Sequence, residues 1–322
     1  MLDQRRVWAL LLQTLPPMNL KLRSALLLCL TAAIVSAAVP DAALIERVTG
    51  LKGAANESEG VFKVTKPRSD LGVTVEGRAL AAFMGFTSWA AFKSGGTAEA
   101  MVMGDLVLLE DEVGPVMSAL LDGGLEVTAL HNHFFFESPK VYFMHLGGEG
   151  ATAALAQGVR AALDAVAAVR AKAPRPAKDF GGPALPAENA ITPAPLEAVF
   201  GAKAQMKDGM AKWVFGREVT MACGCPATKD MGVNTWAAFA GTDANAAAMG
   251  DFAVREDELA PVLKSLRHDG LNVVAIHHHM IRETPRMIFL HYYGRGAAAE
   301  LATALKRALA AQSVVAAKPV AP

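Results

Sequence analysis

A long internal repeat is the feature of this sequence that most restricts its fold. Residues 103–150 align with residues 249–296 at a constant shift of 146 positions without gaps, and 21 of the 48 aligned residues are identical. Upstream, with one residue of slippage, Trp89-Ala90-Ala91-Phe92 corresponds to Trp236-Ala237-Ala238-Phe239. A repeat of this length indicates duplicated domains rather than a solenoid of short units. We therefore expect the same fold twice, in copy 1 (residues 41–170) and copy 2 (residues 194–311).

The segment between the copies, residues 171–193, is rich in proline, which predicts an extended and semi-rigid linker. Residues 312–322 predict a flexible tail. Apolar residues make up 52% of the chain, which is enough for packed cores. The net charge is zero, so nothing in the charge balance indicates a nucleic-acid partner.

The sequence of each copy predicts an α+β fold. In this fold, helices and a mainly antiparallel sheet form the layers of one α/β layered domain. In copy 1 the acidic Glu110-Asp111-Glu112 predicts a helix start, and Gly123-Gly124 predicts its end. A strand over 125–134, a turn at Glu137-Ser138-Pro139 and a strand over 140–146 predict a hairpin, and a helix over 152–169 follows. Strands grouped with helices in this order place the helices on one side of the sheet.

Histidines recur in both predicted hairpins. Copy 1 has His131, His133 and His145, and copy 2 has the corresponding His277, His279 and His291. Residues two apart on a strand share a face. A three-residue turn would also place His131 opposite His145, so that three imidazoles meet on one patch. A two-residue turn would send His145 to the other face.

Three neutral imidazoles with an open fourth position are typical of catalytic zinc sites. We therefore predict one divalent-metal site in each copy, for zinc or copper. Glu137 and Glu283 lie in the predicted turns. Either could serve as a fourth metal ligand, as a hydrogen-bond acceptor for a ligating histidine or as a general base. Asp105 and Asp251 are weaker candidates on the neighbouring segment. Structural histidines and a metal-free polar binding patch remain open alternatives.

The first residues predict export. Lys21 and Arg23 precede an apolar run over 25–35 and small residues at 36–38, which is typical of a signal peptide over residues 1–38 with Met18 as an alternative start. The run is too short for a permanent transmembrane helix. Leu28 before Cys29 does not favour lipid attachment. We therefore predict a periplasmic or secreted protein.

In the remaining chain, Cys223 and Cys225 are either a strained disulfide, a soft metal ligand pair or free thiols.

Several motifs resemble the LppY/LpqO-like family of exported proteins. They are Met103-Gly104-Asp105, Ala129-Leu130-His131-Asn132-His133 with Glu137-Ser138-Pro139, Met231-Gly232-Val233-Asn234-Thr235-Trp236-Ala237-Ala238-Phe239, and Ala275-Ile276-His277-His278-His279. The resemblance implies an exported protein with this duplicated domain, some members being lipid-anchored, and implies no catalytic residues.

The sequence thus predicts a metal-binding role or a metal-assisted hydrolysis, acting on an unknown small molecule or cell-envelope component. The alternative is a metal-free module that binds a cell-envelope ligand or has a structural role.

Overall fold

A computed structural model describes residues 39–316 of the chain. The predicted signal peptide at residues 1–38 and the last residues, 317–322, lie outside the described residues.

Copy 1 contains three helices and nine strands. Its helices are α1 (Ala42–Thr49), α2 (Glu110–Asp122) and α3 (Thr152–Lys172). Its strands are β1 (Gly53–Asn56), β2 (Val61–Pro67), β3 (Thr74–Val75), β4 (Arg78–Ala79), β5 (Thr87–Ser94), β6 (Ala100–Leu109), β7 (Glu126–His131), β8 (Glu137–Ser138) and β9 (Val141–Gly150). A short 3₁₀ turn, Ala82–Met84, precedes β5.

Copy 2 repeats this order with one short strand fewer. Its helices are α4 (Pro193–Phe200), α5 (Glu256–His268) and α6 (Ala298–Ala316). Its strands are β10 (Gln205–Lys207), β11 (Met210–Gly216), β12 (Val219–Thr220), β13 (Pro226–Ala227), β14 (Asn234–Gly241), β15 (Ala246–Arg255), β16 (Asn272–His277) and β17 (Met287–Gly296). The counterpart of β8 is reduced to a bridge between Thr220 and Thr284.

The two copies share one twelve-stranded antiparallel sheet. Its strand order is β1-β2-β5-β6-β9-β7-β16-β17-β15-β14-β11-β10. The corresponding strands of copy 2 follow in the reverse order of those in copy 1. The strands β7 and β16 therefore meet at the centre of a pseudo-twofold arrangement. Leu130 in β7 is the Cα partner of Ile276 in β16. The predicted α+β class with a mainly antiparallel sheet is confirmed.

The main core lies between the sheet and the helices. Leu130 and Met144 of copy 1 pack there with Ile276 and Leu290 of copy 2, under helices that supply residues such as Val116. Because alternate strand residues point to opposite faces, the odd-numbered histidines of the hairpins lie on the other face of the sheet.

That second face carries a smaller apolar cluster in each copy. In copy 1, Val73 and Phe86 from the β3–β5 region pack on Phe143. In copy 2, Val219 and Val233 pack on Phe289 in the same way. Each histidine cluster therefore lies beside a small apolar cap, on the side of the sheet away from the helices.

An ion pair, buried in copy 1 and partly buried in copy 2, connects the cap to the helix layer. Arg68 donates to Glu112 at 2.9 and 3.0 Å and to the carbonyl of Val107. Arg217 donates to Glu258 and to the Ala253 carbonyl in copy 2. Arg68 and Arg217 thus make corresponding contacts in the two copies.

Three local expectations differ from the structure. Pro193, the last residue of the predicted linker, begins helix α4, because the first helical turn has no intrahelical partner for the N–H that proline lacks. The predicted tail begins inside α6, since the Gln312 amide donates to the Ala253 carbonyl at 2.9 Å and the helix continues to Ala316. The linker itself is bound to copy 2, where Phe180 stacks on Tyr293.

Helix α3 is long and apolar enough, by length and composition, to cross a membrane. In the structure its residues Leu155, Val159 and Ala162 are buried. It packs against α1 and α2.

Candidate metal centre

The β7–β9 hairpin brings the copy 1 histidines together in a register that differs from the prediction. Ala129 is the partner of His145, and His131 is the partner of Phe143. The chain leaves β7 after His131, and Glu137–Ser138 pairs with β3 instead of forming a tight turn. The prediction of a three-residue turn was therefore wrong. The observed pairing is shifted by two residues from the predicted one, and an even shift keeps His145 on the same face of the sheet as His131.

The copy 1 rings are in contact. The Nε2 atoms of His131 and His145 are 3.0 Å apart. His133, which lies in the loop after β7, stacks flat on Phe143 with ring centroids 3.3 Å apart. Two ligand atoms on one tetrahedral zinc with bonds of 2.0–2.1 Å are separated by about 3.3 Å. The His131–His145 spacing is close to that value.

Copy 2 repeats the arrangement. The ring centroids of His277 and His291 are 4.7 Å apart, and those of His277 and His279 are 5.1 Å apart. His279 stacks on Phe289 with centroids 3.5 Å apart. Each hairpin thus gathers three imidazoles, two from the strands and one from the loop that follows the first strand.

Asp251 completes the copy 2 cluster. It is the β15 partner of His291, and its carboxylate oxygens lie 3.5 Å from His279 Nε2 and 3.8 Å from His291 Nδ1. Ligand atoms of Asp251, His277 and His279 all lie within 4.8 Å of one another. Among the residues that the structure describes, this is the one group of three that meets that spacing.

From the sequence, Asp251 and Asp105 are weaker candidates than Glu137 and Glu283. A usable signal was present, because aspartate is depleted in strands and yet both copies keep it inside one, in the repeated Met-Gly-Asp motif. Asp105 is likewise the partner of His145. What the sequence could not supply was the pairing of this strand with the second strand of the hairpin.

Burial sets the ionisation of the copy 2 cluster. It raises the pKa of Asp251 to about 7, although backbone hydrogen bonds from Leu290 and Phe252 act in the opposite direction. Burial lowers the pKa of His277 and of His279. A lowered pKa favours the neutral ring, which is the form that binds metals.

Several buried atoms of the two clusters have no hydrogen-bond partner. They are Oδ1 of Asp105, Oδ1 of Asp251 and Nε2 of His277. A buried polar atom without a partner is costly and needs an explanation. All three are electron-pair donors, and a bound cation would satisfy them. The donor set of imidazole and carboxylate fits a divalent transition metal.

Glu137 and Glu283, unlike Asp251, do not contact the histidines in the described contacts. Glu283 is buried, and its Oε1 accepts the Met287 N–H at 3.0 Å. Oε2 of Glu283 and Oε1 of Glu137 are buried without a partner. Among the described contacts, no hydrogen bond or ion pair joins either glutamate to a histidine. Their predicted role as base or ligand stays a prediction.

Cys223 and Cys225 are free and exposed. They lie between β12 and β13, and the Cys225 N–H donates to the Cys223 sulfur at 3.4 Å. The structure therefore shows no disulfide between them.

The solved structures that match this chain include two microcompartment shell proteins. The trimeric shell protein PduB is 13% identical and covers 82% of this chain and 92% of its own, with a TM-score of 0.19. EtuB from Clostridium kluyveri is 11% identical and covers 83% and 93%, with a TM-score of 0.22. The double-ringed trimeric shell protein MSM0271 is 12% identical and covers 68% and 84%, with a TM-score of 0.18.

No curated protein matches the sequence significantly. A family model does match, at residues 43–165 and again at residues 194–311. The chain belongs to the family described as Domain of Unknown Function (DUF1259), and it carries that domain twice.

Proposed function

We propose that this protein binds a divalent metal ion through the Asp251, His277 and His279 cluster, with His291 as a further ligand. The observation that carries the proposal is the convergence of their ligand atoms within 4.8 Å, in a site where Asp251 Oδ1 and His277 Nε2 have no other partner. Copy 1 offers the corresponding Asp105, His131, His133 and His145.

Zinc is the favoured ion and copper the second choice. Zinc accepts nitrogen and oxygen ligands in a tetrahedral arrangement, and the cluster supplies both types. Copper also binds imidazole, and the thiols of Cys223 and Cys225 lie outside the cluster, so no soft ligand selects for it.

Binding is favoured over hydrolysis. A metal-assisted hydrolysis needs a general base within reach of the metal-bound water. Glu137 and Glu283 are the proposed bases, but the described contacts connect neither to a histidine. Loss of a measured hydrolytic activity in Glu283→Gln, with metal content unchanged, would favour the enzymatic role instead.

Elemental analysis of protein purified without a histidine tag tests the metal proposal. Wild type should bind up to two zinc ions per chain, and His277→Ala/His279→Ala should remove the copy 2 ion. His131→Ala/His133→Ala should lower the bound metal by about half. The matched control is His268→Ala, because His268 is exposed and contacts Asp269 rather than a cluster. Wild type that binds no metal, or variants that bind as much as wild type, would refute the proposal.

A metal-free binding module is the second candidate, and one observation favours it. A cavity of about 400 Å³ lies between α2, the linker and β16, with Tyr142, Phe180 and Val274 in its lining. This volume suits a small ligand, such as a cell-envelope component, and both copies contribute to it. Native mass spectrometry should then show a co-purified ligand that is lost in Val274→Phe, which narrows the cavity.

We also propose that the protein is exported to the periplasm or secreted, without a lipid anchor. The charged and apolar segments of residues 1–38 support this proposal. Cell fractionation of wild type and of a chain that lacks these residues tests it, since only the shortened chain should remain in the cytoplasm. The proposed relationship to LppY/LpqO-like proteins rests on the shared motifs, and a grouping of family sequences that separates this chain from them would contradict it.

A further inference from the structure

The two histidine clusters lie on the same face of the central strand pair. Leu130 and Ile276 are Cα partners across the β7–β16 junction, and both are buried in the core beneath the helices. Because neighbouring strand residues alternate in direction, the residues on either side of each point away from the helices. In β7 these residues include His131, and in β16 they include His277.

The register makes these two histidines diagonal neighbours. Since Leu130 is opposite Ile276, His131 is next to Ala275 and His277 is next to Ala129. Diagonal neighbours of this kind in an antiparallel pair are separated by about 7–8 Å. Only the methyl groups of the two alanines occupy the adjoining positions, so no large side chain separates the clusters at the junction.

The adjoining strands extend this arrangement symmetrically. Ala129 is also the partner of His145 in β9, and His145 is the partner of Asp105 in β6. In copy 2, Ala275 is the partner of His291, and His291 is the partner of Asp251. Two rows with the order aspartate, histidine, alanine, histidine therefore run side by side in opposite directions across the sheet.

Buried atoms without partners occur in both rows. Oδ1 of Asp105 belongs to copy 1, and Oδ1 of Asp251 and Nε2 of His277 belong to copy 2. The need for a cation is therefore present on both sides of the junction, although the tightest cluster is that of copy 2.

We propose that the two copies form one two-centre metal site across the β7–β16 junction, in which both cations bind a single ligand with two anionic oxygen groups, such as a dicarboxylate. This inference rests on the proposed metal binding. Two divalent cations, two aspartates and neutral imidazoles leave a residual charge of about +2, which a dianion neutralises. Binding both groups of one ligand also gives a higher affinity than binding two separate monoanions.

Copper(II) provides the probe for the distance between the centres. Wild type loaded with two Cu²⁺ per chain should show dipolar broadening in electron paramagnetic resonance, because centres this close interact magnetically. His277→Ala/His279→Ala, which keeps one centre, should lose the broadening, and His268→Ala should keep it. Succinate should then bind the two-centre protein at least about tenfold more tightly than it binds the one-centre variant, whereas acetate should show no such difference.

The outcomes separate this inference from metal binding itself. Two bound Cu²⁺ without dipolar broadening, or a single bound Cu²⁺ in wild type, would overturn the two-centre site and leave metal binding intact. Equal succinate affinity in the two proteins would overturn the shared ligand. A wild type that binds neither Cu²⁺ nor Zn²⁺ would refute the proposed function as well.

Discussion

Glu112 shows how one buried side chain joins three parts of copy 1. It is fully buried and accepts hydrogen bonds from Arg68 and from the N–H of Leu109. It also forms an ion pair with Arg170 at 3.0 Å. The cap, the first turn of α2 and the end of α3 therefore meet at a single carboxylate.

Replacing Glu112 by glutamine should be strongly destabilising. The substitution removes the buried one of the two carboxylates that pair with Arg68, the other being the exposed Asp70, and breaking a buried ion pair on one side costs about 3–5 kcal/mol. We expect the free energy of unfolding of Glu112→Gln to fall by about 3 kcal/mol or more in urea denaturation. Glu110→Gln, in the same helical turn but exposed, should change it by less than about 0.5 kcal/mol. Equal effects of the two changes would contradict this role of Glu112.

Asp251 is the residue whose importance the sequence underestimated. The histidines could be found from their repetition and from strand periodicity, because both are properties of the sequence. Asp251 joins them only through the pairing of β15 with β17, which is a long-range contact. Glu137 and Glu283 are the stronger candidates from the sequence because they are close to the histidines along the chain. Closeness along the chain, however, does not measure distance in space.

Asp251→Asn should weaken zinc binding to copy 2 by about tenfold or more, since a neutral amide replaces a charged ligand. Isothermal titration with zinc should show this loss in the His131→Ala/His133→Ala background, where copy 2 is the remaining site. Asp257→Asn is the control, because Asp257 pairs with Arg255 in the first turn of α5. An unchanged affinity in Asp251→Asn would exclude Asp251 as a ligand.

At the scale of elements, the order of helices and strands could be predicted and the hairpin connection could not. The acidic Glu110-Asp111-Glu112 and the pair Gly123-Gly124 correctly predicted where α2 begins and ends. The connection after β7 depends on Glu137–Ser138 pairing with β3, more than sixty residues earlier in the chain. Local turn signals carry no information on such a partner. The face of His145 was nevertheless predicted correctly, because only the parity of the register matters for it.

The repeated Met-Gly-Asp motif has a steric explanation in the same strands. A Cβ at Gly104 would lie 2.6 Å from the Trp89 carbonyl oxygen, and one at Gly250 would be closer still to that of Trp236. Neither backbone oxygen can move without disturbing the sheet. The glycine thus permits the close approach of the neighbouring strand beside each aspartate.

Gly104→Ala and Gly250→Ala should each destabilise the protein by about 1–3 kcal/mol, with the larger loss for Gly250. Thermal unfolding followed by circular dichroism measures the effect. Gly147→Ala is the matched control in the same sheet, because its Cβ would first meet Thr128 at an ordinary 3.8 Å. A midpoint for Gly250→Ala as high as that of Gly147→Ala would contradict the steric explanation.

At the scale of the molecule, the duplication could be read from the sequence, but the fusion of both copies into one sheet could not. Residues at the junction resemble other core residues, and nothing in the repeat distinguishes a linker between separate domains from one that crosses a shared sheet. The junction consists of the Leu130–Ile276 pairing and a helix contact in which Arg267 of α5 donates to Ser118 of α2 at 3.2 Å. The site proposed across it depends on this fusion.

Gly114→Leu should loosen the junction while each copy stays folded. A Cβ at Gly114 would lie 2.8 Å from a guanidinium nitrogen of Arg267, so leucine displaces this guanidinium from its hydrogen bond to Ser118 of α2. Because few pairs hold β7 to β16, their amides should exchange with deuterium faster in the variant, while those of the extensively paired β6 and β9 keep their protection. Ser118→Ala, which removes only one hydrogen bond, should have a smaller effect. If exchange rises equally throughout the sheet, the two copies unfold as one unit and the junction is not its weakest part.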